Sequence, residues 1–174
     1  MSTHTTIYPH AELPAALRPT LEAWSKVCFP DQHGITWTCE APWHVVVYED
    51  GQPVSYLDIL ERPCTVDGQP VNLAGIGGVM TPPEFRKRGY ASQALEAAAG
   101  FMRTRIDAPF ALLVTGQSRI PFYGRLGWQP VEGPLRFFQP DGLDKSDRIA
   151  VIMILSLRGD PWPGGEIDLR GLPW

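Results

Sequence analysis

The sequence predicts an α+β fold: a mixed, mostly antiparallel central sheet flanked by helices. Three observations lead there. Two Asp-Gly pairs, in Glu49-Asp50-Gly51-Gln52 and Val66-Asp67-Gly68-Gln69, separate β-patterned runs. Asp-Gly suits the two positive-φ positions of a tight hairpin, so three consecutive strands should run antiparallel. After Gly89 the apolar residues Ala91, Leu95, Ala98 and Met102 recur at three- and four-residue steps, with Ala94 and Phe101 alongside. That is the period of a helix burying one face. Pro109–Thr115 is then a continuous apolar run, as expected of a strand covered on both faces. A helix separates it from the preceding strand, so the two should be parallel. With 174 residues, the chain suffices for one domain, spanning 1–174, with a substantial core.

In chain order, Thr5–Tyr8 reads as a short first strand. His10–Phe29 is helical in pattern, with Leu13, Leu17, Leu21 and Trp24 on one face, and Pro14 and Pro19 should divide it into two short helices. Pro30–Gly34 is a loop. Trp37 and Trp43 flank Glu40 and read either as a substrate wall or as packing over a sheet edge. Trp43–Tyr48 and Val54–Glu61 are paired strands. The second Asp-Gly turn leads through Val71 and Leu73 into a central strand whose Gly-rich end, Gly75–Thr81, stops at Pro82-Pro83, where proline cannot donate to a ladder. Gln117–Leu126 should form a short helix, Trp128–Val131 and Leu135–Phe138 later strand pieces, and Ile149–Leu155 the last strong strand. The tail, Trp162–Trp174, is too apolar and aromatic to stay loose and should fold back over the sheet.

Composition narrows the function classes. The net charge of −4 argues against a nucleic-acid or bilayer partner. No run of about 18 apolar residues suggests a membrane span, and Met1–Thr6 lacks the basic and apolar regions of a signal peptide. Cys28, Cys39 and Cys64 are odd in number, without metal-like spacing, and read as reduced thiols of a cytoplasmic protein. No His stands near Cys64 in sequence, which disfavours a catalytic thiol there. No metal is expected.

The chemistry centres on the turn Arg86-Lys87-Arg88-Gly89-Tyr90-Ala91. A helix start offers free N–H groups and a positive dipole end, Gly89 lets the backbone approach a ligand, and three cations precede it. A pyrophosphate is the natural ligand. An ordinary solvated basic turn is the plainer alternative.

The wider pattern favours the ligand. Arg86-x-x-Gly89-x-Ala91, preceded by Val79-x-Thr81 and Pro83-Glu84-Phe85, resembles the acetyl-coenzyme A loop of the GCN5-related N-acetyltransferases (GNATs). Phe122-Tyr123-Gly124-Arg125-Leu126-Gly127-Trp128 resembles a later segment of the same family. The resemblance implies a GNAT fold, with acetyl-CoA as cosubstrate in the cleft between the central parallel strands. It assigns coenzyme contacts to Val79, Thr81, Arg86, Lys87, Arg88, Gly89, Tyr90, Ala91, Ser92, Ser118 and Tyr123. Ser118 orients the pantetheine or merely caps a helix. Tyr123 becomes the acid that protonates the departing thiolate.

A narrower resemblance lies in the tail. Glu166-Ile167-Asp168-Leu169-Arg170-Gly171, with Trp174 last, is similar to the C-terminus of aminoglycoside 2′-N-acetyltransferases. It implies that Glu166, Asp168 and Trp174, with Glu40 and Asp58, bind substrate ammonium groups, and that Asp168 and the Trp174 carboxylate take part in catalysis. Gly77 stands where that family carries a glutamate base, and Leu172-Pro173 where it carries a further acid. Two lost negative charges favour a substrate with fewer ammonium groups, such as kasugamycin. The base is left among Glu40, Asp58, Glu61, Asp168 and the Trp174 carboxylate, and His44 reads as a structural strand residue. A homodimer is compatible with this reading. A different amine, such as a peptide N-terminus, a polyamine or a metabolite, or a non-catalytic coenzyme-binding module, are the other classes.

Overall fold

The computed structural model describes residues 2–30, 34–38, 40–140, 142–145 and 151–174. Cys39, most of the Pro30–Gly34 loop, and the Ile149-Ala150 start of the expected last strand lie outside the described residues.

Ten strands form one mixed sheet. Strand β1 (Thr3–Pro9) pairs antiparallel with β2 (Trp43–Glu49), and β2 with β3 (Gln52–Val66). Strand β4 (Gln69–Met80) returns along β3 from Val66 to Tyr56. Both connecting turns take positive φ at Asp and Gly, +47° and +81° at Asp50-Gly51 and +48° and +76° at Asp67-Gly68, as their sequences predict. Helix α2 (Tyr90–Arg105) then crosses to β5 (Phe110–Thr115), parallel to β4. Beyond lie helix α3 (Ile120–Gly124) and strands β6 (Gln129–Val131), β7 (Leu135–Gln139), β8 (Gly142–Lys145), β9 (Val151–Ser156) and β10 (Ile167–Asp168).

Several boundaries move for physical reasons. The expected pair of helices over residues 10–29 is instead two 3-10 turns, His10–Glu12 and Ala15–Leu17, followed by helix α1 (Arg18–Cys28). Pro19 does not interrupt α1 but sits in its first turn, where a missing N–H costs nothing. Strand β3 runs past Glu61 through Pro63. Its edge away from β4 is covered by β2 only as far as Ile59 and by β10 only from Thr65, so Pro63 falls in an uncovered interval, where proline is tolerated.

The sheet has two faces. On one, α2 packs over Val45, Val47, Leu57, Ile59, Ala74, Ile76, Ala111 and Leu113. On the other, α1 covers Val46, Tyr56 and Met80, and the tail covers Leu60, Leu73, Phe110 and Leu112. The tail enters the sheet itself, since β10 lies antiparallel to β3 and parallel to β7. Its last residue, Trp174, lies flat over Gly75: a Cβ on Gly75 would fall 2.4 Å from the indole. The indole N–H donates to the Leu112 carbonyl at 3.1 Å. Arg62 closes the tail from outside, donating to the carbonyls of Leu169 (3.3 Å) and Leu172 (2.8 Å), with its guanidinium 5.0 Å from the Trp174 ring centroid.

Gly75→Ala should therefore lower stability by about 1–3 kcal/mol, the usual cost of overpacking. In a Trp174→Ala background the same change should cost almost nothing, and the double-mutant cycle by denaturant unfolding measures the difference.

Candidate active site

Parallel pairing between β4 and β5 is brief. Leu73, Ala74 and Gly75 meet Phe110, Ala111 and Leu112, and then the strands part. Strand β5 continues against β9 as far as Thr115, while β4 continues against β3 to Met80. The divergence has a local cause in β4. Asp58 pairs with Gly77 and Tyr56 with Met80, so Gly78 and Val79 together face Leu57 alone. This is a β-bulge, with Gly78 at φ +57°, a conformation glycine adopts freely. From Gly75 and Leu112 onward β4 and β5 no longer pair, which leaves a wedge between the two strands.

The face carrying α2 presents the cationic turn. Pro83–Phe85 forms a 3-10 turn, Lys87 takes φ +62°, and Gly89 takes φ +86° at the N-cap of α2. No side chain caps this helix, whose first bond is from the Gln93 N–H to the Gly89 carbonyl. The amides of Tyr90, Ala91 and Ser92 therefore stand at the helix start as donors for an anion. The three cations do not act alike. Arg88 donates to both oxygens of Glu49 at 2.7 and 2.8 Å, and the Tyr90 hydroxyl donates to the same carboxylate. The Arg86 Nε–H donates to the Thr81 carbonyl at 2.9 Å, and the Thr81 hydroxyl is 2.8 Å from that of Ser55. Arg86 and Arg88 thus brace the turn, and Lys87 is exposed.

On the same face, Tyr123 is buried among core residues, its ring 6.5 Å from that of Trp128. Burial pushes its phenol above the ordinary range. Ser118 is exposed within a 3-10 turn, Gln117–Arg119, that has no side-chain cap, so it does not serve as a cap. Trp43 packs edge-on against Phe101 of α2, 5.3 Å between centroids, which makes it a packing residue of this face.

The opposite face holds Asp58 and Trp174. Asp58 Oδ2 is 2.8 Å from where a Cβ on Gly78 would stand. Trp174 also borders Gly77, its main-chain carbonyl carbon 3.5 Å from a Cβ built there. Asp168 and Glu166 are elsewhere. Asp168 pairs with Thr65, seven residues along β3 from Asp58, roughly 20 Å away by strand rise. Its carboxylate accepts the Arg170 N–H at 2.8 Å. Glu166 pairs with Arg136 at 3.1 Å, and its N–H donates to Asp67. The expectation that Glu166 and Asp168 stand with Trp174 around one amine is thus not met, because the tail runs extended along the sheet. Glu40 is exposed, in the segment whose Thr38 N–H donates to the Pro173 carbonyl. Glu61 is exposed and accepts from Asn72 at 2.7 Å. Cys64 is buried, and burial pushes its thiol up to about 12, so it stays protonated.

Sequence reasoning missed the neighbours of Asp58. Tyr56 O–H donates to Asp58 Oδ1 at 2.5 Å, His44 Nδ1 is 2.7 Å from the same oxygen, and His44 Nε2 is 2.9 Å from His10 Nδ1. One signal was available: His44, Tyr56 and Asp58 interrupt the apolar face of their strands with polar groups at positions of one parity.

A family model described as an acetyltransferase (GNAT) domain matches residues 26–131. The chain belongs to the GNAT acetyltransferase family. Acetyl-CoA is the cosubstrate of that family. No curated protein sequence matches this one. Among solved structures, Escherichia coli ElaA superposes with a TM-score of 0.61 at 16% identity, covering 89% of this chain and 100% of its own. A GNAT acetyltransferase from Brucella melitensis, solved with acetyl-CoA, gives 0.60 at 14%, covering 94% of each chain. The ribosomal-protein-S18-alanine N-acetyltransferase of Escherichia coli gives 0.58 at 16%, covering 92% of this chain and 98% of its own. At these identities the likeness is one of fold.

Gly89→Asp places a carboxylate at the anion position and strains a positive φ, whereas Gly89→Ala adds the strain alone. Calorimetry with acetyl-CoA should show the Asp variant binding at least about tenfold more weakly than the Ala variant, the loss of one charge-assisted contact. Equal affinities would remove the turn from the coenzyme site.

Proposed function

We propose that this GNAT domain, acting as a single unit over residues 1–174, transfers acetyl from acetyl-CoA to a small primary amine. The observation that carries the reading is the divergence of β4 from β5 near the Gly78-Val79 bulge, with α2 packed on one face and Asp58 and Trp174 on the other. The coenzyme approaches from the side of the uncapped helix start, with its pyrophosphate on the amides of Tyr90, Ala91 and Ser92. The amine approaches from the side of α1 and the tail. A thioester carbonyl beside the bulge can accept from the backbone of Val79, which no β3 residue pairs. Holding both reactants in one wedge supplies much of the acceleration. Tyr123 then protonates the departing thiolate. Its phenol, raised by burial, is protonated and so is a donor when the thiolate leaves.

For the acceptor we propose an aminoglycoside-type sugar, acetylated on its 2′-amine, with kasugamycin as the specific candidate and antibiotic resistance as the role. The placement of charge supports an acceptor with few ammonium groups. Among the described residues at the wedge, Asp58 supplies the carboxylate, while Asp168 and Glu166 are spent on anchoring the tail.

Thiol release should be measured with kasugamycin, glucosamine, spermidine and an alanine-initiated peptide as acceptors. Kasugamycin should give the highest kcat/KM. A preference for the peptide or for spermidine would overturn the sugar assignment, and no release with any of them would favour a non-catalytic coenzyme-binding module. Tyr123→Phe should lower turnover roughly a hundredfold, typical of a lost general acid, with acetyl-CoA affinity unchanged. Near-normal turnover where chemistry limits the rate would assign the proton to another donor.

A further inference from the structure

We propose that Asp58 takes the proton from the acceptor ammonium, and that Tyr56, His44 and His10 form a string of positioning residues that holds its carboxylate for that step. The inference rests on the acetyltransferase reading above.

The hydrogen bonds fix a direction along the string. An ionised carboxylate only accepts. Tyr56 O–H donates to Asp58 Oδ1 at 2.5 Å, and burial together with the Asp58 charge raises the Tyr56 phenol, so it remains a donor. His44 Nδ1 lies 2.7 Å from the same oxygen. It therefore carries the ring proton and donates. In the neutral ring Nε2 is then an acceptor. The atom facing it is His10 Nδ1, at 2.9 Å, which must supply the proton of that bond. Every donor points toward Asp58: His10 to His44, and His44 and Tyr56 to Oδ1. Among the described residues, these are the titratable groups that face His44.

Oδ1 is thereby saturated, and Oδ2 is left for substrate. Oδ2 is also the oxygen beside the bulge, 2.8 Å from where a Cβ on Gly78 would stand. The Asp58 side chain keeps 25% of its surface exposed, against 5% for His44. A carboxylate with one oxygen locked in the interior and the other presented at the wedge is oriented as a base should be. The string starts at the surface, since His10 is exposed, its main chain anchored by donation of the backbone N–H to the Pro42 carbonyl at 2.9 Å.

The step balances. An ammonium N–H bond breaks, an O–H bond forms at Oδ2, and the freed lone pair attacks the thioester carbon. As the C–S bond breaks, the newly attached nitrogen loses its second proton to water and the thiolate takes a proton from Tyr123. That water-borne proton replaces the one Tyr123 gave up, and Asp58 releases its own to solvent, one proton net.

Two measurements test this. With kasugamycin, or the panel member turned over fastest, Asp58→Asn should lower kcat by about a hundredfold or more, the scale of a lost general base, leaving KM for acetyl-CoA unchanged. His44→Asn keeps a donor near the Nδ1 position and His44→Gln moves it toward the Nε2 position. The Asn variant should hold most of the activity, and the Gln variant should lose about tenfold, as a misplaced base does. A turnover within twofold of native for Asp58→Asn, or equal losses for the two His44 variants, would overturn the proposal while leaving the acetyltransferase reading intact. The second measurement needs no acceptor. Nitrogen-15 NMR of the native protein should show His44 protonated at Nδ1, with the population shifting when His10 is changed to Ala. An Nε2-protonated His44, or no response to His10→Ala, would break the string whatever the activity, so failure here is separable from failure of the panel.

Discussion

Strands β4 and β5 share three residue pairs and then separate, and the site depends on that separation. A sheet that stayed paired to Met80 would present a closed ladder, with no route from one face to the other. The bulge at Gly78-Val79 ends the regular register. It does so cheaply, because the positive φ falls on a glycine. Each half of the sheet keeps its hydrogen bonds, β4 to β3 and β5 to β9. The divergence therefore costs pairing only between β4 and β5.

The tail shows how acidic residues are divided between architecture and chemistry. Docking buries Ile167, Leu169 and Trp174 against Leu73, Phe110 and Leu112, and apolar burial is what drives it. The polar groups near it follow: Glu166 meets Arg136, Asp67 takes the Glu166 N–H, and Arg62 collects two tail carbonyls. Burial pulls the Arg62 guanidinium below its ordinary range, a sign that this clamp lies partly out of water. The bare backbone at Gly75 lets the Trp174 ring lie against the strand. Carboxylates that look from their spacing like a substrate cluster serve instead to fix the strand that carries Trp174.

The donor side follows a similar economy. Arg88, Tyr90 and Glu49 form one hydrogen-bonded unit, with the guanidinium 5.1 Å from the Tyr90 ring centroid. It ties the start of α2 to the end of β2. Arg86 ties the turn to Thr81. Positive charge that seems free in the sequence is thus partly engaged in holding backbone amides in place, and fixed amides are the better anion ligand because they need no reordering on binding.

The hairpins, α2, the parallel β5 and the glycine-led start of α2 were legible in the residues because each depends on local rules: Asp-Gly geometry, a 3.6-residue period, and glycine at a helix start. Tyr123 was legible through the motif around it. The grouping on the acceptor face was not. His10, His44 and Asp58 come from three segments, and whether a histidine meets a carboxylate depends on the register of β2 against β3 and on how the chain leaves β1. The same holds for Asp168, six residues from Trp174 in sequence yet beside Thr65 at the far end of β3. The sequence by itself determined most of the elements and the glycine-led turn before α2, since those are set within a few residues. Only the tertiary structure decided which carboxylate faces the wedge, because strand register and the path of a docking tail are fixed by burial summed over the whole sheet.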